Sequence, residues 1–273
     1  MKTYKTIIIN FIFVLLAFSS ISFSITIVEP TKQEVDNSYY AGFVGPGQVL
    51  SIAIDKRVET GGRFGKGGYY DKAYALKLPD GWTSEQSKIF DNPLQVFITV
   101  PENAKEGNYS FLIQLEDLDN AELLGNKTIN ITVTITKDVM DMEIKKLNYI
   151  IAPKQPLRLS TIISNKGNAG DIFVIDIKTS REIKRKEVFI PANSISEVVN
   201  ELSFPAKGKE LIEVNVYSKH APSAISKSKR INVQIEGNFF EDLGAAGNGV
   251  LLLFIPFQPV YDISYLIYSV FSK

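Results

Sequence analysis

The chain has 273 residues, in which 30 lysines and arginines balance 30 aspartates and glutamates. That neutrality leaves no global electrostatic case for nucleic-acid binding, whose recognition needs a basic face. With no cysteine and one histidine, His220, it also lacks disulfide staples, a thiolate nucleophile and a histidine-built metal centre.

The first element is a leader. Lys2 and Lys5 precede an apolar run over residues 7–18 broken only by Asn10, and Ser20-Ile21-Ser22 and Ser22-Phe23-Ser24 supply small-x-small cleavage sites. The run is shorter than the ~20 residues that span hydrocarbon as a helix. Residues 1–24 therefore read as a secretory signal peptide. An uncleaved signal-anchor, lengthened by Ile21, Phe23 and Ile25, is the alternative, and either form exports the bulk of the chain.

From residue 25 to residue 236 the apolar pattern has period two, and no long 3.6-period stretch appears. Ile129, Ile131, Val133 and Ile135 alternate with Asn130, Thr132 and Thr134. Ile212, Val214 and Val216 alternate with Glu213 and Asn215, and Ile231, Val233 and Ile235 with Asn232 and Gln234. Strands of this kind bury one face and wet the other, as antiparallel sheets do. Turn signals at Pro79-Asp80-Gly81, Glu106-Gly107-Asn108, Lys166-Gly167-Asn168 and Lys207-Gly208-Lys209 divide them. The expected fold is all-β: two tandem immunoglobulin-like β-sandwiches over residues 25–137 and 138–236, each near the ~100 residues of such a unit. Without disulfides each must be held by its own core, which fits a prokaryotic surface protein.

Within the first sandwich, Thr60-Gly61-Gly62-Arg63-Phe64-Gly65-Lys66-Gly67-Gly68-Tyr69-Tyr70 invites comparison with a phosphate loop. Thr60 and Gly67 stand where that motif needs Gly and Ser or Thr, and no strand–loop–helix context surrounds it. Two readings stay open. Either the loop presents Arg63, Phe64, Lys66, Tyr69 and Tyr70 as partner-binding contacts, since such residue types anchor interfaces, or it is a long hairpin whose glycines serve turns.

Glu116-Asp117-Leu118-Asp119-Asn120 lacks the glycine and distal glutamate of a calcium loop and reads as a solvated hairpin. Asn108, Asn126 and Asn130 head Asn-x-Ser/Thr sequons and are candidate glycosylation sites on an exported chain. His220 reads as an exposed loop residue, and Arg181, Lys184, Arg185 and Lys186 as the solvated face of a strand. No residue is singled out for catalysis, for a cofactor or for a metal.

After residue 236 the character changes. Residues 237–248 form a glycine-rich linker, and residues 249–271 an apolar stretch that as one helix would run about 35 Å. Pro256 and Pro259 must break or kink it, and Asp262 places a costly carboxylate inside it. A kinked transmembrane span, a re-entrant pair of half-helices and an interfacial hairpin are the competing forms. Prolines at membrane depth need neighbouring protein to satisfy freed carbonyls, so Asp262 is a further partner-binding candidate, against another membrane protein.

Leu78-Pro79-Asp80-Gly81-Trp82-Thr83, followed by Val100-Pro101-Glu102-Asn103-Ala104-Lys105-Glu106-Gly107-Asn108-Tyr109, resembles the NEW3 type of immunoglobulin-like domain. Asn165-Lys166-Gly167-Asn168 resembles the strand–turn of the same group and of the related CARDB domains. Where the first domain should carry that strand–turn it has residues 57–70 instead. The resemblance implies non-catalytic modules of prokaryotic cell-surface proteins. Together these features lead to an expectation: an exported binding protein tethered to the cytoplasmic membrane, with the bulk of the chain outside. It would serve as an accessory subunit of a membrane protein complex, in contact with lipid. The alternative is an adhesion or envelope-scaffold protein that binds surface polymer or glycan, and a hydrolase stands third. Trp82, closing the Leu78–Thr83 turn, is expected in the core.

Overall fold

The computed structural model describes residues 24–237. The signal peptide up to residue 23, the linker after residue 237, and the tail with Asp262 lie outside the described residues. Within them the chain is strand and loop, with a single 3-10 turn at Leu118–Asn120.

In chain order the first strands are β1 Ile25–Glu29, β2 Gln33–Val35, β3 Ser38–Val44, β4 Val49–Ile54, β5 Arg57–Val58 and β6 Gly68–Tyr69. They continue with β7 Lys72–Leu76, β8 Thr83–Glu85, β9 Leu94–Thr99, β10 Gly107–Glu116 and β11 Lys127–Ile135. Two sheets result, in the orders β2-β1-β4-β9-β8 and β3-β11-β10-β7, with β5-β6 as a separate ribbon. Period-two alternation is the reason for this layering. Ile129, Ile131, Val133 and Ile135 on β11 are at most 1% exposed, and they share one core with Leu50 and Ile52 of β4 and Val96 and Ile98 of β9. Each such side chain contributes about 1.5–3 kcal/mol on leaving water. The pair is a β-sandwich. Its neighbours β10 and β11 are antiparallel, whereas β3 runs parallel to β11.

Trp82 lies in that core, 7% exposed. Its N–H donates to Pro79 O at 3.1 Å across a turn that Gly81 makes at φ +79°. Its ring meets Tyr109 at 5.4 Å and Phe111 at 6.2 Å between centroids.

The later strands are β12 Met140–Glu143, β13 Asn148–Ile151, β14 Pro156–Asn165, β15 Asp171–Lys178, β16 Ile183–Ile190, β17 Ser194–Ser203, β18 Gly208–Ser218 and β19 Ser226–Ile235. Their sheets are ordered β12-β14-β17 and β13-β19-β18-β15-β16. Val214 and Val216 on β18 and Ile231 on β19 are fully buried at the positions that alternation assigns to the core.

By proximity the chain divides into two compact units. One takes the residues up to Lys145 together with Ser160–Val198 and Glu213–Lys229; the other takes Lys146–Leu159, Val199–Ile212 and the chain from Arg230. In the first, the Asn165–Asn168 turn is a hub. Buried Asn165 divides its amide hydrogens among the carbonyls of Ala169, Ile190 and Pro191, while its Oδ1 accepts from Gly167 N at 3.1 Å. Asn168 N donates to Phe43 O at 2.7 Å, and its Oδ1 accepts from Phe43 N at 3.0 Å. Gly42 permits this approach, because a Cβ there would stand 2.2 Å from Asn168 Oδ1. In the second unit, β13 pairs in parallel with the end of β19, from Asn148 beside Asn232 to Ile151 beside Ile235. Lys154 N donates to Phe204 O at 2.7 Å, and Arg158 pairs with Glu201 at 2.9 Å.

Candidate functional site

The residues singled out in the glycine-rich loop gather at one end of the first sandwich, with two loops that sequence alone did not connect to them. The β5-β6 ribbon, with Arg57 opposite Tyr69, carries the loop outward. Two glycines fold its tip. A Cβ on Gly67 would lie 1.8 Å from Val58 O, and one on Gly62 would lie 2.5 Å from Gly67 O; both have positive φ. The tip then bonds to the acidic loop, Arg63 N donating to Glu122 O at 2.7 Å.

The acidic loop is built around a buried carboxylate. Asp117 is 4% exposed, and it accepts from Glu122 N at 3.1 Å and Leu124 N at 3.0 Å. The expectation of a wholly solvated hairpin is corrected here: Asp117 satisfies backbone donors that would otherwise be orphaned inside the protein. Asp71 joins the third loop to these two. Its Oδ2 accepts from Leu118 N at 2.9 Å, and its carbonyl accepts from Phe90 N at 2.8 Å. Lys56 Nζ donates to Phe90 O at 3.2 Å and sits 5.8 Å from the centre of the Tyr69 ring.

The crown so formed exposes apolar side chains. Phe64 is 81% exposed and Phe90 66%, with Ile89, Leu123 and Tyr69 each about half exposed beside the cationic Arg63 and Lys66. Phe90 and Leu123 are held at φ +64° and +57°. Bulky residues occupy that region at a cost of about 1–3 kcal/mol each and persist only where the surroundings over-determine them. Here the Phe90 and Asp117 hydrogen bonds do so. Ile89, Phe90 and Leu123 escaped the sequence reading; the only signal was an adjacent apolar pair in the otherwise polar stretch before Pro93.

Tyr70 is a correction. Read as a surface contact, it is 1% exposed and belongs to the core, because adjacent residues on an extended chain point to opposite faces and Tyr69 takes the outer one. Burial, and secondarily the Asp117 charge, push its phenol up to about 12 from an ordinary value of 10.0. The folded protein therefore keeps this proton at a pH where the unfolded chain has released it, so stability should fall as pH rises from about 10 towards 12. In Tyr70→Phe that part of the alkaline slope is expected to disappear from urea midpoints measured across this range. Equal slopes in the two proteins would contradict the assignment.

The other singled-out residues lie elsewhere. Asn108 and Asn130 are exposed on the outer face of β10 and β11, and Asn126 is exposed in the loop before β11. His220 is exposed. Arg185 forms a two-pronged bond to Asp176, 2.8 Å on each branch, and holds that carboxyl below the usual carboxylate range. Among the described residues no cluster of three or more metal-ligating side chains occurs. No helix among them is long and apolar enough to cross a membrane.

No family model matches the chain, and no curated protein does. Solved structures overlap it loosely. Fibronectin(III)-like modules of Clostridium thermocellum CbhA share 14% identity at a TM-score of 0.27, over 78% of this chain and 94% of theirs. A CARDB domain from Pyrococcus furiosus, solved with di-metal ions, shares 12% at 0.29, over 36% of this chain and 94% of its own. A chimeric titin Z1Z2 shares 8% at 0.37, over 80% and 99%. Overlaps of this size assign neither a family nor a role.

Proposed function

We propose that this is an exported, membrane-tethered binding protein without catalytic activity. In this proposal its immunoglobulin-like sandwiches, over residues 25–137 and 138–236, stand outside the cytoplasmic membrane, and the crown docks on a membrane-protein partner. The observation that carries the reading is the display of Phe64, Phe90 and Leu123 to water on loops fixed by hydrogen bonds to the buried Asp117 and to Asp71. Apolar and aromatic side chains beside arginine are the residue types that anchor protein interfaces, and side chains already held in place lose less freedom on binding. The tail supplies the second anchor, with Asp262 facing a cation or backbone donor of the same partner.

The test is a detergent pull-down of the full chain from membranes, wild type beside Phe64→Ser/Phe90→Ser and Asp262→Leu. Each variant is expected to stay in the membrane fraction and to lose co-purifying partner at least tenfold. Equal partner recovery from all three would reduce the protein to a simple tether. Adhesion to envelope polymer is a second reading, favoured by a different surface, the outer face of the sheet β3-β11-β10-β7, whose central rows carry no charge.

A further inference from the structure

That outer face is unusual in composition. Its rows are set by register: Tyr40, Thr132 and Ser110 lie side by side across β3, β11 and β10, and Phe43, Thr134 and Asn108 form the next row. Outward positions from Thr128 to Thr134 on β11, and those paired with them on both sides, carry hydroxyl, amide or hydrocarbon groups and no charge. Solvated protein surfaces are ordinarily about 25–35% Lys, Arg, Glu and Asp, and 22% of this whole chain is charged. Charge begins at the margins, with Glu116 and Lys72 paired at one end, Lys72 beside the Tyr74 ring, and Glu106 accepting from Thr136 Oγ1 at 3.3 Å at the other.

Two rings make a corner on this face. Tyr40 is paired with Thr132, yet its hydroxyl reaches Thr134 Oγ1 at 3.0 Å. Thr134 has one proton and donates it to Asn108 Oδ1 at 2.7 Å, so Tyr40 must be the donor to Thr134. The Tyr40 ring therefore lies across the sheet over β11 while remaining 51% exposed. Phe43, 49% exposed, stands at 87° to it with centroids 6.4 Å apart. One ring is a floor and the other a wall, and short hydroxyl and amide groups continue from them along the sheet.

We infer that this face binds a neutral polysaccharide. A pyranose ring turns weakly positive C–H groups to one side, which the negative face of an aromatic ring attracts. Its hydroxyls both donate and accept, matching the Thr132 and Ser110 hydroxyls and the Asn108 amide hydrogens, which bond no protein group among the described residues. A charged polymer would leave its charges unpaired on such a surface, at a desolvation cost. The inference is independent of the crown, which uses other residues, and it requires Asn108 and Asn130, both on this face, to be unmodified.

The experiment is co-sedimentation of the full-length protein in detergent with insoluble cellulose, curdlan and mannan, alongside affinity electrophoresis in polygalacturonate. Retention by at least one neutral polymer is expected, with at least tenfold weaker binding for Tyr40→Ala and for Thr132→Lys. The second variant adds a charge to the face without removing any core contact. Phe64→Ser/Phe90→Ser should bind as wild type does, so the crown and the face can fail separately. Retention by none of the neutral polymers would overturn the inference. So would unchanged binding by Thr132→Lys, tighter binding to polygalacturonate, or peptide masses placing a glycan on Asn108 or Asn130.

Discussion

Trp82→Ala is expected to destabilise the protein by about 3–5 kcal/mol, the range for truncating a large buried aromatic. The ring fills space between the Pro79–Trp82 turn and β10, against Tyr109 and Phe111. Alanine there leaves a cavity that two aromatic neighbours at fixed strand positions cannot close. The thermal midpoint should drop by roughly 10 °C, followed by far-ultraviolet circular dichroism because the variant lacks the chain's single tryptophan. A midpoint within a degree or two of wild type would mean that the side chain adds little to the core.

Asp117→Ala should have the next largest effect, and it links stability to the site. Removing the carboxylate strands the N–H groups of Glu122 and Leu124 where water is scarce. Hydrogen bonds to a charged acceptor contribute about 1.5–3 kcal/mol each, offset by the cost of burying the charge, so a net loss of about 2–4 kcal/mol is expected. The loop that holds Leu123 at positive φ and receives Arg63 N loses its frame as well. Asp117→Asn keeps one acceptor and should fall between alanine and wild type. Backbone amide exchange over residues 118–125 should accelerate in the alanine variant; unchanged protection there would show that the loop holds without the carboxylate.

Alternation made the core legible. The inward sides of β11, β18 and β19 were readable because a one-residue slip would turn every isoleucine and valine into water. Trp82 was readable for a related reason: a turn that ends in a large apolar residue folds it back onto the strands it joins. The crown was legible only in part. Glycines beside Arg63, Phe64 and Lys66 marked an exposed tip, but Tyr70 looked like Tyr69 until the strand placed them on opposite faces. Nothing local marks Asp117 as buried, since an acidic residue in a polar loop has the same sequence appearance whether it faces water or caps backbone donors. Phe90 at positive φ is likewise invisible, because its conformation is imposed by Asp71 and Lys56, distant in sequence. The Asn165–Asn168 turn was recognised as a turn, yet its pairing with Phe43, across 125 residues, has no local signature.

The most direct measurement is site-specific photo-crosslinking in intact cells, with the reactive side chain at Phe64, at Phe90 or, as a control of matched exposure, at Ile195 on β17, which is 72% exposed. Docking through the crown predicts a discrete adduct with one integral membrane protein from positions 64 and 90 and none from 195. Adducts of equal yield from all three positions, or none from 64 and 90, would contradict it.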